Sequence, residues 1–205
     1  MLLFGTYQKG MIIKMKLATI LTDYLSQKGF IEPENYEIYQ YGFEIFLELF
    51  INIICSILIA VFLDMKLECV FFFLFFIPLR SFGGGLHMER YFTCLLLSCG
   101  TLAMTLLIVK YYVLAPILSF LLILLCIIAL RALGPVNHPN RSVDASENIC
   151  FQKKMDITLM LGFIFAFLFW FFHLKKYLFL EALVYLLVAL TSFIGKQKNS
   201  RKRNF

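Results

Sequence analysis

His87 and Cys94 stand seven residues apart, just after three consecutive glycines, Gly83, Gly84 and Gly85. A thiol attacks as the thiolate, and a nearby imidazole can take its proton and later return it to a leaving amine. The glycines permit tight turns and close backbone approach, so backbone N–H groups can meet an incoming carbonyl oxygen. The chemistry these residues suit is acyl transfer through a thioester. Their spacing restricts how they can do it. Seven helical residues return to nearly the same face, but with a rise of about 10.5 Å, too far for an imidazole–thiol hydrogen bond. The pair can therefore cooperate in two ways. His87 lies in the glycine-bent loop and folds back over a helix that begins near Arg90, or the two residues meet across two subunits. From spacing alone a His and a Cys this far apart are more often bystanders, and three glycines a flexible connector. Glu89 and Asp144 are candidates for orienting His87, against the plainer reading of solvated loop charges.

The elements that must position these residues are membrane helices. The chain of 205 residues is 61% hydrophobic, with 24 Phe and a mean hydropathy of +0.83. Soluble domains are roughly 45–50% apolar, and a soluble chain this small could not hide so much apolar surface. The apolar runs are Gly42–Leu63, Leu67–Leu79, Tyr91–Val109, Val113–Leu130, Ile157–Leu174 and Tyr177–Ile194. The expected fold is an all-α polytopic membrane bundle of about six spans. The second run, about 13 residues against the roughly 20 a span needs, is short or re-entrant. Ahead of it, Met15–Lys28 reads as an amphipathic helix with Leu17, Ile20, Leu21, Tyr24 and Leu25 at helical spacing, suited to the membrane surface. Pro33 suits the first turn of the helix that becomes the first span. Within that span Glu44 and Glu48 are four apart. Carboxylates there either reach the headgroups or face protein or water.

Six crossings place both termini on one side. The N-terminal region, the Arg80–Arg90 loop, the polar Arg131–Asp156 loop and the tail then share fifteen Lys and Arg, and the opposite side keeps four. By the positive-inside rule the richer side is cytoplasmic. The division expected is a cytoplasmic segment 1–40, a membrane domain 41–195 and a basic tail 196–205. The net charge of +6 is accounted for by topology and anionic lipid, so nucleic acid is not an expected partner. The six cysteines form no CxxC pair and no regular spacing, which argues against a zinc site or a disulfide framework. No basic n-region precedes an apolar stretch at the N-terminus, so no cleavable signal peptide is expected.

The pattern Arg80-x4-Gly85-x-His87-x6-Cys94, after a short apolar helix, resembles the core of the accessory gene regulator B (AgrB) family of membrane cysteine endopeptidases. Gly134-Pro135-Val136-Asn137-His138-Pro139-Asn140-Arg141 is similar to the family's Pro-containing loop after the fourth span. Length, layout, amphipathic N-terminal segment and basic tail fit as well. The resemblance implies that Cys94 is the nucleophile and His87 the general base and acid. It implies that Arg80 and Gly85 shape the loop or receive substrate carboxylates, with Glu89 and Arg141 as further candidates for those tasks. Some members carry a lysine cluster where this chain has Asn137, His138, Asn140 and Arg141, which puts that loop's basic contribution in question. The implied substrate is an AgrD-like quorum-sensing pro-peptide with an amphipathic leader, a central Cys or Ser and an acidic tail. Cleavage of the tail and closure of a thiolactone or lactone ring would follow, with no metal or other cofactor, in a homodimer in the bacterial plasma membrane. The rival from another class is a small non-catalytic peptide exporter using Glu44, Glu48 and the short second run. A third option is a membrane scaffold without activity.

Overall fold

Backbone polar groups have no water to bond in hydrocarbon, so a chain this apolar must satisfy them within helices. The computed structural model describes residues 17–83, 91–134 and 145–203, and every regular element among them is helical. A first helix, α1, covers residues 17–27. A 3₁₀ turn at Pro33–Asn35 leads into α2 (Tyr36–Leu63), followed by α3 (Lys66–Gly83), α4 (Tyr91–Tyr111), α5 (Pro116–Leu133), α6 (Ala145–Phe171) and α7 (Lys175–Arg203). Five of these, α2, α4, α5, α6 and α7, contain stretches long and apolar enough to cross a membrane. The fold is an all-α membrane bundle, as its composition requires.

The helix ends are set by local chemistry. Pro116 opens α5, where its missing N–H costs nothing, and Gly134, at φ +65°, closes it by donating its N–H to the Leu130 carbonyl. Three other helices end instead in a 6→1, 5→2 hydrogen-bond pair. Phe30 and Gly29 donate to Leu25 and Ser26, Met65 and Asp64 to Ala60 and Val61, and Leu174 and His173 to Phe169 and Trp170. The middle residue of such a cap must be left-handed. Gly29 adopts this at φ +74°, whereas Asp64 (φ +55°) and His173 (φ +56°) do so with a side chain attached.

Several elements run longer than their apolar stretches. The second apolar run was expected to end at Leu79, but α3 continues through Pro78 and Arg80 to Gly83. Its 18 residues span about 27 Å, close to the roughly 30 Å hydrocarbon thickness. It is a continuous helix, though not one of the five apolar enough by composition. Similarly, α6 starts at Ala145, turning the end of the expected polar loop into helix, and α7 carries the basic tail on to Arg203.

The described residues divide into two compact units, 17–58 with 91–99, and 59–83 with 100–134 and 145–203, so the boundary falls inside α2 and α4. In the first, α1 is tied to the start of α2: Tyr36 Oη donates to Asp23 (2.6 Å) and Gln40 Nε2 to Thr19 Oγ1 (3.2 Å). Ala18 and Thr22 are buried on α1, while the apolar Leu17, Ile20 and Tyr24 stay exposed. In the second, α7 is the most enclosed helix. It packs on α3, α5 and α6, and Phe71, Phe75, Phe165, Phe169 and Tyr177 form a connected aromatic cluster. The buried Glu68 at the start of α3 is paired with Lys176 of α7.

Candidate functional site

The position expected for the nucleophile falls where α4 begins. Among the described residues α4 runs from Tyr91, and Cys94 lies in its first turn with an exposed side chain. The first turn of a helix directs unbonded N–H groups and the positive end of the helix dipole outward. A carbonyl oxygen gaining negative charge near Cys94 would be favoured there.

One turn further on, the same face of α4 carries Ser98. Asn52 of α2 donates through Nδ2 to Ser98 Oγ at 3.0 Å, Ser98 Oγ donates to the Leu95 carbonyl at 3.1 Å, and Cys99 Sγ lies 4.0 Å from Asn52 Oδ1. α2 thus meets α4 through polar side chains at this level. Asn52 belongs to a stripe at i, i+4 spacing, Glu44–Glu48–Asn52–Ser56, on one face of α2. Near their other ends the same helices meet again, where Lys110 Nζ donates to the Leu63 carbonyl at 2.8 Å. The sequence separations are 46 and 47. Near-constant separation means the helices run in parallel, so Glu48 comes level with Cys94.

That relation is the part the sequence did not disclose. Glu44 and Glu48 were legible as carboxylates within the first apolar run, either at the headgroups or facing protein or water, but the level of Glu48 relative to α4 was not. Only a register between α2 and α4 brings Glu48 level with the cysteine, and the visible signal was the polar stripe itself. Arg80 sits in the last turn of α3, where a cation complements the negative helix end, and its side chain is half-buried. It belongs to the second unit and Cys94 to the first. Gly85, His87, Glu89, Asp144 and Arg141 lie outside the described residues.

A family model described as Accessory gene regulator B matches residues 18–194. No curated protein and no solved structure gives a match.

Proposed function

Because the chain belongs to the accessory gene regulator B family, whose role is the processing of accessory gene regulator peptides, we propose that it is a membrane cysteine endopeptidase that removes the tail of an AgrD-like pro-peptide and closes its ring. The observation that carries this reading is the exposed Cys94 in the opening turn of α4, one turn before Ser98, to which Asn52 of α2 is hydrogen-bonded.

The steps follow from the groups present. With its proton taken by His87, Cys94 attacks the carbonyl that precedes the acidic tail, and the oxyanion forms at the positive end of α4. The C–N bond breaks, His87 returns the proton to the departing amine, and the peptide remains as a thioester on Cys94. The peptide's own Cys or Ser then attacks that thioester, forming the thiolactone or lactone and releasing the Cys94 thiol. Thioester exchange has little free-energy drop, so holding the ring-forming nucleophile close matters more than its intrinsic reactivity. The leader peptide suits the membrane surface, and its acidic tail suits the side bearing Arg80, Arg141 and the basic tail. A second copy of the chain completes the proposed assembly.

The test is processing of a synthetic pro-peptide by the purified protein in liposomes, followed by mass spectrometry. Cys94→Ala and His87→Ala should each lower tail release by at least roughly 10³-fold while inserting normally. Wild-type processing by either variant would sink the assignment. Peptide transport that survives Cys94→Ala without any cleavage would instead identify an exporter.

A further inference from the structure

The bundle interior holds polar groups that thioester chemistry does not use. Among the described residues, four buried side-chain atoms have no hydrogen-bond partner: Ser119 Oγ, both carboxyl oxygens of Glu181, and Tyr185 Oη. All three residues are 0% exposed. Buried polar groups are ordinarily paired, and an ionisable one facing the interior of a membrane bundle ordinarily marks a site.

Two of these groups converge on Gly162, and helix register brings the third level with them. Glu181 and Tyr185 are four residues apart on α7 and share a face. Both reach Gly162 of α6: a Cβ there would overlap Tyr185 Oη and stand 3.4 Å from Glu181 Oε1. Only glycine at 162 admits the phenol. On the third side, Lys196 Nζ donates to the Leu133 carbonyl, a sequence separation of 63. At that offset Leu122–Leu133 stands alongside the Leu186–Phe193 stretch of α7, with which it lines one groove. The two helices therefore run in parallel, and Ser119 comes level with Ala182, next to Glu181. Phe120, beside Ser119, meets Phe163, beside Gly162, with ring centroids 5.7 Å apart. The nearest cation along α7, Lys176, is paired with Glu68.

We propose that Glu181 and Tyr185, which meet at Gly162, together with Ser119 at the same level of α5, bind one Na⁺ ion inside the α5–α6–α7 bundle. Every donor is oxygen, the ligand type that hard cations take and soft metals do not favour. A single carboxylate matches a single positive charge, and no group of three His, Cys, Asp or Glu suited to a metal occurs among the described residues. None of the four atoms is hydrogen-bonded to another. A proton on Glu181 would therefore leave both hydroxyls as they are, whereas a central cation accepts lone pairs from several oxygens at once. Glu181 lies about 9 Å along α7 from Lys175 and Tyr185 about 15 Å, a depth at which membrane bundles hold Na⁺ with protein oxygens. The site stands apart from Cys94 and does not depend on the peptidase reading.

Dicyclohexylcarbodiimide, which modifies carboxyl groups in apolar surroundings, tests this on the full chain in liposomes, with the modified residue identified by mass spectrometry. Glu181 should react in choline chloride. Na⁺ at ten times its half-protecting concentration should slow that reaction about tenfold, and choline should not. In detergent, Na⁺ should raise the thermal midpoint of the wild type and of Cys94→Ala, but not of Glu181→Gln. If Glu181→Gln does not insert, Ser119→Ala and Tyr185→Phe carry the comparison, each expected to need several-fold more Na⁺ for half-protection. Equal labelling rates in Na⁺ and choline, or an undiminished Na⁺ response in all three variants, would overturn the proposal.

Discussion

The desolvation cost of a carboxylate rises with its depth in hydrocarbon, and depth distinguishes the two readings of Glu48. Counted back from Leu63 at the far end of α2, Glu48 lies about 22 Å along the axis. With Leu63 at the far boundary of a core of about 30 Å, Glu48 stands about 8 Å inside the near boundary, more than one helical turn below the headgroups. Facing α4 one turn from the Asn52–Ser98 hydrogen bond gives the carboxylate a protein environment. Under the proposed function, that level would let it orient the His87 imidazole, a task that a general acid–base pair leaves to a third group. Glu48→Gln should therefore lower the rate of thioester formation about 10²-fold, change KM little and alter the pH–rate profile, with partial recovery in Glu48→Asp. Glu44→Gln, one turn closer to the membrane surface, should have a much smaller effect. An unchanged rate and pH profile in Glu48→Gln would remove the carboxylate from the site. Cys94 could be proposed from the sequence because its spacing to Arg80, Gly85 and His87 is a chain-local pattern. Glu48 could not, because which carboxylate faces which helix depends on an inter-helix register.

The existence of the helices was written in the apolar runs, and their ends were only partly so. Hydropathy falls off where a helix leaves the lipid, but hydrogen bonding does not. α3 therefore continues beyond Leu79 to Gly83, α6 starts twelve residues before Ile157, and α7 carries Lys196 and Lys198 in helical form. Pro116 and Gly134 bound α5, whereas the apolar run alone placed that span at Val113–Leu130. The caps at Asp64 and His173 were not read in advance, because Asp and His adopt other conformations far more often than the left-handed one, in which they are nonetheless enriched. For a residue with a Cβ that conformation costs about 1 kcal/mol, and His173 is exposed. His173→Gly should consequently stabilise the α6–α7 turn by about 1 kcal/mol, less the extra chain entropy of glycine, and raise the thermal midpoint in detergent. His173→Val should lower it, since a β-branched residue fits a positive φ poorly. A lower midpoint for the glycine variant would show that the imidazole makes a contact worth more than the backbone gains.

For the whole molecule, the open question was whether the short second apolar run crosses the bilayer, because the cytoplasmic placement of the motif depends on that parity. The structure bears on it through α2 and α4 rather than through α3. Lys110, in the last turn of α4, donates to the carbonyl of Leu63, the last residue of α2. The Asn52–Ser98 bond joins the same two helices nearer their starts. Two parallel spans joined by one chain segment require that segment to return across the membrane. α3, about 27 Å long, is the only described helix between them. Its complement of Lys66, Glu68 and Arg80 places charge at the ends of the helix, where snorkelling and pairing are available. α3 is thus expected to cross, with the Arg80 end on the side of the termini. In a cysteine-free background, Asp64→Cys, Tyr112→Cys and His173→Cys should react with an impermeant maleimide added outside intact cells. Gly29→Cys and Gln197→Cys should react only after permeabilisation. The decisive position is 112. A re-entrant α3 would put Tyr112 inside while leaving Asp64 outside, and labelling of Tyr112→Cys only after permeabilisation would reverse the orientation of α4 and move Cys94 away from a cytosolic pro-peptide.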